Sequence, residues 1–367
     1  MQLKQTARDA LLKPLQAVSG IVERRHTLPI LANVLLEQRD GRLYVTATDL
    51  EMQITAYSEL PGKEAQAVTV AARKLQDLLR ALPDDATLNI DASGSKMIVR
   101  AGRSRFNLQT LPAADYPRIG LGQDQLQTLT LPQRDLRGLL RSVEFAMAQQ
   151  DIRYYLNGML LVADKESLQA VATDGHRLSW ASLKVAGDYQ RQEVILPRKT
   201  VLELGKLLAD VEDPVTIDIL ATQVRFHFGN VELVSKVVDG KFPDYNRVIP
   251  TGHTKSIELA RTELLATLQR AAILSNEKFR GVRIVLAPQT LKIICTNSEQ
   301  EEAEEELEVA YTGEPLDIGF NITYLLDVLH NLTTDHVQLE FGDANSSALV
   351  TVPDRDDYKY VVMPMRI

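Results

Sequence analysis

Cysteine is nearly absent from this chain, and long apolar runs are absent altogether. Cys295 is the single cysteine among 367 residues, which excludes an internal disulfide framework and a Cys-x-x-Cys metal site. No stretch approaches the roughly 20 consecutive apolar residues that a membrane-spanning helix needs. The segment Met1 to Gln5 shows no signal-peptide character. We therefore expect a cytoplasmic protein with no membrane partner.

Motifs of catalysis are also scarce. Asp174 and His176 could form an acid–base or metal pair, but a third ligand is missing from the motif. Ser275-Asn-Glu-Lys278 matches the Ser-x-x-Lys of penicillin-recognising enzymes, yet the companion motifs Ser-Asp-Asn and Lys-Thr-Gly do not occur. No glycine-rich phosphate loop is present, and Cys295 lies in an apolar stretch typical of a core strand. The sequence predicts a non-catalytic protein without cofactor or metal, with an enzyme as the alternative.

The most informative feature that is present is an internal repeat with three copies. Its first landmark is a pair of alternating apolar runs on either side of a turn, which predicts a β-hairpin. The second run of each pair ends at Asp49, Asp174 and Asn297, at intervals of 125 and 123 residues. The predicted turns lie at Asp40-Gly41, Asp164-Lys165 and Pro288-Gln289.

Two predicted helices accompany each hairpin, because apolar residues spaced by three, four and seven positions share one helix face. The helices before the hairpins open at Arg8, Arg134 and Arg261, and the shorter ones after them at Arg73, Arg198 and Ile322. The buried stripes of the first set are Leu11, Leu12, Leu15, Val18 and Val22; Leu136, Leu139, Leu140, Val143 and Met147; and Leu264, Leu265 and Leu268. Those of the second set are Leu75, Leu78, Leu79 and Leu82; Val201, Leu204, Leu207 and Leu208; and Ile322, Leu325, Leu326 and Leu329.

Landmarks that recur in the same order at a shared spacing predict three homologous α+β domains. Each domain would pack two helices on several antiparallel strands. Turn-rich segments at 120–122 and 250–252 mark the boundaries, which gives domains 1–121, 122–250 and 251–367. The alternative is one large α+β protein whose segments resemble each other by chance.

Charge is distributed unevenly along the chain. The formal net charge of −8, taken alone, argues against a nucleic-acid partner. However, the helical stretches 8–25, 73–80, 134–144, 198–206 and 261–280 hold 17 Lys and Arg against 8 Asp and Glu, whereas the remainder holds 24 against 41. This segregation indicates a basic face made for a polyanion, although helix surfaces are commonly charged. The helix at 322–332 breaks the pattern with Asp327 and no Lys or Arg.

The basic helices predict contacts with DNA phosphates. No helix-turn-helix, zinc-finger or RNA-binding signature accompanies them, so binding would carry no sequence information. Tyr154 and Tyr155 follow the basic helix at 134–144, and such loop tyrosines either touch DNA or pack as lids over apolar groups. The helical residues predicted to face DNA are Arg73, Arg80, Arg137, Arg141 and Lys199.

Several long segments resemble the bacterial DNA polymerase III β sliding clamp family. They occur in all three repeats, in the family's order, and span the chain from end to end. The segments are Thr27-Leu-Pro-Ile-Leu, Gly102-Arg-Ser-Arg-Phe-Asn-Leu, Thr110-Leu-Pro-Ala-Ala-Asp-Tyr-Pro, Arg153-Tyr-Tyr-Leu-Asn-Gly-Met, Ala172-Thr-Asp-Gly-His-Arg-Leu, Ala271-Ala-Ile-Leu-Ser-Asn-Glu-Lys-Phe-Arg-Gly-Val-Arg, Glu299-Gln-Glu-Glu-Ala-Glu-Glu and Tyr360-Val-Val-Met-Pro-Met-Arg. The chain departs from the family at Ala71, where Pro is frequent, and His26 leaves the geometry of its loop open.

The resemblance implies a DNA clamp fold, in which a head-to-tail homodimer of three-domain subunits closes a six-domain ring around double-stranded DNA. Such a ring holds DNA by topology and acts as a processivity factor by tethering a polymerase. The partners it implies are the DNA polymerase III α subunit, the clamp loader complex, and other polymerases and repair proteins. These partners would insert short peptides containing Gln and Leu into a hydrophobic pocket.

The resemblance also assigns residues to three sites. The DNA contacts are Arg25, Gln150, Tyr154 and Tyr155. The peptide-binding pocket comprises Arg153, Tyr155, Leu156, Thr173, Gly175, His176, Arg177, Leu178, Pro243, Val248, Ser347, Val361, Val362, Met363, Pro364, Met365 and Arg366. At the dimer interface, Phe106 and Leu108 would meet Ile273 and Leu274, and Lys74, Arg103 and Arg105 would face Glu299, Glu302 and Glu305. Apart from the resemblance, an acidic run such as 299–308 is typical of a solvated face.

A different class of function fits the same basic helices, namely an ordinary DNA-binding protein that holds the duplex by phosphate contacts. Affinity of that kind falls steeply as salt rises. A closed ring would instead stay on circular DNA in high salt and leave once free ends exist.

Overall fold

Each of the six helices in the described part of the chain begins directly after a β-strand. The computed structural model describes residues 1–23, 28–61 and 65–367. Its helices are α1 (Arg8–Val18), α2 (Ala72–Ala81), α3 (Gln133–Val143), α4 (Arg198–Leu207), α5 (Arg261–Ala271) and α6 (Ile322–Asn331). None of these helices has the length and apolar character needed to cross a membrane.

Twenty-two strands accompany these helices. The first eleven are β1 (Gln2–Ala7), β2 (Asn33–Arg39), β3 (Arg42–Thr48), β4 (Met52–Glu59), β5 (Gln66–Ala71), β6 (Thr87–Ser93), β7 (Lys96–Ala101), β8 (Ser104–Leu111), β9 (Gln125–Pro132), β10 (Gly158–Thr173) and β11 (Arg177–Pro197). The others are β12 (Pro214–Leu220), β13 (Gln223–Phe228), β14 (Val231–Lys236), β15 (Lys255–Ala260), β16 (Gly281–Ala287), β17 (Thr290–Thr296), β18 (Glu302–Glu308), β19 (Leu316–Asn321), β20 (His336–Phe341), β21 (Ala348–Val352) and β22 (Arg355–Val362).

The chain divides into two compact units. The first contains residues 1–136 and 202–237, and the second contains residues 137–201 and 238–367. The first unit holds a twelve-stranded sheet in the order β1-β6-β7-β8-β5-β2-β3-β4-β14-β13-β12-β9. The second unit holds a six-stranded sheet, β10-β11-β22-β21-β20-β15, and a four-stranded sheet, β18-β17-β16-β19.

Strands from consecutive repeats pair with each other inside each unit. In the first unit β4 of the first repeat pairs antiparallel with β14 of the second, and Ile54 lies opposite Leu233. In the second unit β11 of the second repeat pairs antiparallel with β22 of the third, and Leu178 lies opposite Val361. In both places, the strand that follows a Thr-Asp landmark pairs at its free edge with the last strand of the next repeat.

Among the strands of the described chain that keep an unpaired edge are β8 and β18. β8 pairs with β7 along its length, but it meets β5 only through Thr110 and Leu111. β18 is the terminal strand of the four-stranded sheet and pairs with β17 alone. Unpaired edges expose backbone donors and acceptors that another strand can use.

The predicted hairpins are confirmed in the first and third repeats, where β2 pairs with β3 and β16 with β17. Asp40 and Gln289 take positive φ values of 54° and 64° in their turns. In the second repeat both predicted runs belong to one bent strand, β10, which pairs with β11 on either side of the bend. The predicted turn appears there as register shifts around Lys165, whose φ is 52°.

The predicted apolar stripes form the helix–sheet core. α1 packs on β3, β4 and α2, and α5 packs on α6 and β17. Most stripe residues are buried, while Leu78, Leu82, Leu207, Leu265 and Leu326 are half-buried. This difference follows from geometry, since only the centre of an apolar helix face is fully covered by the sheet.

Two of the arginines that open the longer helices have a structural role. Arg8 is 8% exposed, and its Nη1 donates to the carbonyl of Leu82 at the end of α2 over 2.8 Å. Arg261 donates to the carbonyls of Leu329 and Thr334, at and beyond the last turn of α6, over 2.9 and 2.8 Å. A cation at a helix C-terminus satisfies free carbonyls and offsets the helix dipole. Counting these two arginines in a DNA-facing surface was therefore wrong.

The burial of Cys295 generates a prediction about thiol reactivity. The side chain is 1% exposed in β17, and burial raises the pKa of its thiol to about 11. A raised pKa leaves the thiol protonated below that pH, and only the thiolate reacts. At pH 8 we expect a disulfide reagent such as DTNB to react at least about 100-fold more slowly with the folded protein than with the protein in guanidinium. Comparable rates in the two states would contradict this placement.

Candidate functional site

The second unit contains an apolar cluster that reaches the surface. This apolar cluster consists of Leu160, Val162, Val171, Leu178, Ile195, Phe242, Tyr245, Leu349 and Val361. The cluster takes five members from β10 and β11, one each from β21 and β22, and two, Phe242 and Tyr245, from the segment after β14. Tyr155 packs against the cluster. Val248 and Met363, which the resemblance places in the same pocket, are 43% and 48% exposed.

A tight turn between β10 and β11 forms one wall beside the cluster. Thr173 Oγ1 donates to the carbonyl of Arg177 over 2.6 Å and accepts from the Gly175 amide over 3.1 Å. Gly175 has a φ of 89°, and a Cβ atom there would lie 2.8 Å from Arg153 Nη2. The turn therefore favours glycine at this position for its backbone conformation, and a Cβ would also displace the end of the flexible Arg153 side chain.

Arg177 is the electrostatic centre of this wall. Its guanidinium bonds Asp174 at 3.1 Å and Asp327 at 2.5 Å, and it donates to the carbonyl of Phe145 over 2.7 Å. Burial alone would lower the pKa of Arg177, but its interactions with the Tyr360 hydroxyl and with the carboxylates of Asp327 and Asp174 raise it overall. A half-buried arginine that is paired on several sides fixes the segments that hold its partners.

Asp327 and Tyr324 belong to this network although the sequence did not assign them to a site. Both lie on α6, whose sequence is distinguished only as the acidic exception to the basic pattern of the other helices. The Arg177 guanidinium lies 4.6 Å from the centre of the Tyr324 ring. That ring stacks on His176 with the centroids 6.5 Å apart. The acidic exception was a signal, but the partner of Asp327 lies 150 positions away along the chain.

The C-terminal residues continue from β22 past the cluster. Met363 donates its amide to the carbonyl of His176 over 2.9 Å, and Met365 donates to that of Gly319 over 2.8 Å. The carbonyl of Ser347 lies 2.8 Å from His253 Nε2. Of the other predicted pocket residues, Leu156, Leu178, Val361 and Val362 are buried, Pro364 is half-buried, and Pro243 and Arg366 are exposed.

The two adjacent tyrosines in the loop before β10 differ in their exposure to solvent. Tyr155 is half-buried and packs against the apolar cluster, as a lid would. Tyr154 is 58% exposed, and its ring meets that of Tyr155 edge-on at 5.8 Å. Gln150 is exposed, and Arg153 bonds Asp151 at 2.9 Å. Tyr154 and Gln150 are thus accessible to a ligand, whereas the Tyr155 side chain packs on the apolar cluster.

The predicted DNA-facing residues differ in exposure. Arg73 and Arg80 are exposed on α2, on the side opposite the buried Leu75 and Leu79. Arg141 is exposed on α3. Arg137 and Lys199 are half-buried, and Arg137 Nε has no hydrogen-bond partner among the described residues. Arg25 lies outside the described residues.

The edges of β8 and β18 carry part of the predicted dimer interface, and the rest lies on α2 and in the segment after α5. On β8 and the turn before it, Phe106 and Leu108 are half-buried, and Arg103 and Arg105 are exposed, as is Lys74 on α2. In the second unit Ile273 is 77% exposed beside the half-buried Leu274. On the acidic segment Glu299 and Glu302 are exposed.

One acidic residue of that edge has a partner within the subunit. Arg270 donates to both carboxylate oxygens of Glu305, over 2.8 and 2.6 Å. The hydrogen bonds from Arg270 hold the pKa of Glu305 below its usual value. An arginine from another subunit would therefore have to share Glu305 with Arg270.

The residues considered for catalysis are engaged in structural contacts. Asp174 pairs with Arg177. Ser275 is 4% exposed and donates to the carbonyl of Ala272 over 2.8 Å, while Lys278 lies over the Phe279 ring at 5.3 Å. Within 1–23, 28–61 and 65–367, no three His, Cys, Asp or Glu side chains are placed to hold a metal ion.

Comparison with known proteins identifies the family. Three family models match in succession: the DNA polymerase III β subunit N-terminal domain over residues 1–120, its central domain over 130–244 and its C-terminal domain over 246–366. The chain is 48% identical to the β sliding clamp of Vibrio cholerae and 51% identical to that of Pseudomonas putida, over 98% of each chain.

Solved structures agree with these matches over the whole chain. The DNA polymerase III subunit β of Pseudomonas aeruginosa is 48% identical, with a TM-score of 0.96 over 100% of both chains. The DnaN sliding clamp of the same organism bound to griselimycin gives a TM-score of 0.95, over 100% of this chain and 99% of that chain. The three-domain clamp fold and the predicted resemblance are thereby confirmed, and the chain belongs to the DNA polymerase III β-subunit family, the family of the β sliding clamps.

Proposed function

We propose that two copies of this chain close head to tail into a ring that encircles duplex DNA and tethers a polymerase to it. As a member of its family the chain is a non-catalytic accessory subunit of a DNA polymerase. The observation that carries the ring is the recurrence of one strand pairing. β4–β14 and β11–β22 each join a repeat to the next one.

The third pairing of this kind has no partner within the described chain. β18 occupies the position in the third repeat that β4 and β11 occupy in the first and second. β8 occupies the position in the first repeat that β14 and β22 occupy in the others. Both have an unpaired edge, so β18 of one copy would pair antiparallel with β8 of another. A heterologous contact that closes after two copies gives a ring in which these edges of β8 and β18 are paired.

Charge complements this edge pairing. Lys74, Arg103 and Arg105 accompany β8, whereas Glu299, Glu302 and Glu305 accompany β18. Phe106 and Leu108 would cover Ile273 and Leu274, which removes apolar surface from water. The domains would extend over 1–121, 122–250 and 251–367, which agrees closely with the three family matches.

DNA contacts in the ring would be few and weak. Arg73, Arg80, Arg137, Arg141 and Lys199 would meet phosphates, with help from Arg25, Gln150, Tyr154 and Tyr155. Contacts of this kind do not read sequence and allow sliding. Retention would come from topology, and the ring would act in the cytoplasm beside a bacterial chromosome.

The apolar cluster and its rim would dock partner proteins. Val248 and Met363 offer an exposed apolar surface, and methionine adapts its shape to different side chains. Peptides containing Gln and Leu from the DNA polymerase III α subunit, the clamp loader and repair proteins would insert there. Docking would raise the local concentration of the polymerase at the primer end.

Retention on circular DNA tests the ring. After loading by a clamp loader on nicked circular DNA, we expect most of the protein to remain through a wash at high salt. A restriction cut should then release it, because a topological link ends when the DNA has free ends. The measurement is protein retained on DNA-bearing beads before and after the cut. Loss in the salt wash would favour ordinary phosphate binding, and equal retention after the cut would contradict the ring.

The edge pairing predicts a variant that dissociates the dimer. Leu108→Asp places a carboxylate in the proposed apolar contact, so the dimer dissociation constant should rise at least about 100-fold, or ~2.7 kcal/mol. Analytical ultracentrifugation would measure it. Leu126→Asp, at a leucine 50% exposed on β9, is the matched control and should remain dimeric. A Leu108→Asp protein with the sedimentation of the parent dimer would exclude β8 from the interface.

The docking site predicts a loss of peptide affinity without loss of stability. The double variant Val248→Ala, Met363→Ala removes exposed apolar surface, so affinity for a Gln- and Leu-containing peptide should fall about tenfold, or ~1.4 kcal/mol. Fluorescence anisotropy would measure affinity and thermal unfolding would check stability. Ile152→Ala, at a residue 97% exposed, is the control. Affinity within twofold of the parent would place docking elsewhere.

A further inference from the structure

A second groove lies on the sheet face that carries the apolar cluster. It has a volume of about 1060 Å³ and is bordered by β10, by β11 with its irregular stretch at Asp188, and by the hairpin between β21 and β22. Trp180 and Gln169 lie on its floor. Trp180 is the single tryptophan of the chain.

The groove continues directly from the apolar cluster. Residues opposite each other in neighbouring strands share one sheet face, as do alternate residues along each strand. The row of Leu178 and Val361 belongs to the cluster, and the next row on this face brings Trp180 opposite Val171 and Lys359. Beyond it Ser182 lies opposite Gln169 and Lys184 opposite Ser167, all four of them in the groove.

Two side chains connect the groove and the cluster physically. Trp180 lines the groove and packs against the cluster. Gln169 Oε1 accepts hydrogen bonds from Trp180 Nε1 over 3.2 Å and from the Tyr245 hydroxyl over 3.3 Å, and Tyr245 is a cluster member. A peptide seated on the cluster could therefore extend into the groove over a continuous surface.

The groove is acidic at its rim. Its lining contains six carboxylates, Asp164, Glu166, Asp188, Asp354, Asp356 and Asp357, against Lys165, Lys184 and Arg355. Asp164 pairs with Arg191, and Asp357 pairs with Arg355. Glu166, Asp188, Asp354 and Asp356 have no Lys or Arg partner in the described chain, and all four are exposed. The uncommitted charge is therefore mainly negative.

We propose that this groove is a second docking subsite, which binds a basic segment flanking the apolar motif of a partner peptide. The proposal rests on the proposed docking function of the apolar cluster. From Leu178 to Lys184 the strand covers six residues, or about 20 Å. An extended peptide segment of six residues spans the same distance. Lysine or arginine heads would reach the carboxylates while their aliphatic stems cross Trp180.

Matched peptides test the subsite. A Gln- and Leu-containing peptide without tryptophan would be compared with versions that carry six extra residues at either end, four of them lysine or four of them serine. We expect the lysine version, at one of the two ends, to bind at least about fivefold more tightly than the serine version at low salt. The advantage should shrink as the salt concentration rises.

The location is tested by charge reversal. Glu166→Lys with Asp356→Lys should abolish the lysine advantage and leave the unextended peptide's affinity unchanged. Asp85→Lys with Asp124→Lys changes the net charge equally at two exposed residues of the other unit, and it should preserve the advantage. A 3-nitrotyrosine at the far end of the lysine extension should quench Trp180 fluorescence in the parent and not in the groove variant.

The outcomes separate the two proposals. If the unextended peptide fails to bind, the docking function fails and the subsite fails with it. If it binds and neither lysine extension adds affinity, only the subsite is wrong. An advantage that survives in the groove variant would assign the effect to general surface charge and overturn the groove. If the control variant lost the lysine advantage to the same extent as the groove variant, the effect would also be one of general surface charge, and the groove proposal would be wrong.

Discussion

Antiparallel pairing between the edges of consecutive repeats is the constraint on which the rest of the structure depends. A sheet edge exposes unpaired backbone groups, which must be paired or covered. The chain pairs two such edges internally, through β4–β14 and β11–β22, and leaves one edge of β8 mostly unpaired and one edge of β18 unpaired. The same pairing brings β22 beside β11 and so places the C-terminal methionines next to the turn at Gly175. One type of contact thus accounts for the junctions, the proposed ring and the docking site.

Local patterns were enough to predict the repeat, the helices and the hairpins of the first and third copies. Those features depend on periodicity within a few residues, such as the stripe of Leu11 and Leu15. The second repeat differed because β10 bends at Lys165 and pairs with one partner strand on both sides of the bend. A turn signal alone does not say whether the chain reverses or only bends, since the partner strand decides between the two outcomes.

Contacts between residues far apart along the chain could not be predicted from local sequence patterns. Charge counting treated Arg8 and Arg261 as part of a surface, whereas both bond the carbonyls of neighbouring helices. Likewise, Asp327 looked like an exception on an otherwise unremarkable helix until the fold placed it 2.5 Å from Arg177. Side-chain type predicts what a residue can bind, but only the tertiary structure brings the two partners together. The residue-level sites came from family resemblance for that reason, and periodicity alone would not have found them.

The arrangement of the first unit also bears on how the protein is made. Its sheet includes β12, β13 and β14, so residues 1–136 must wait for residues 202–237 before the sheet is complete. Bacterial ribosomes add roughly 20 residues per second or fewer, which leaves the edge of β4 uncovered for several seconds during synthesis. In that interval the nascent chain exposes a strand edge whose unpaired backbone groups can pair with another chain. A chaperone that shields residues 52–59 would protect it from pairing with neighbouring nascent copies on the same messenger.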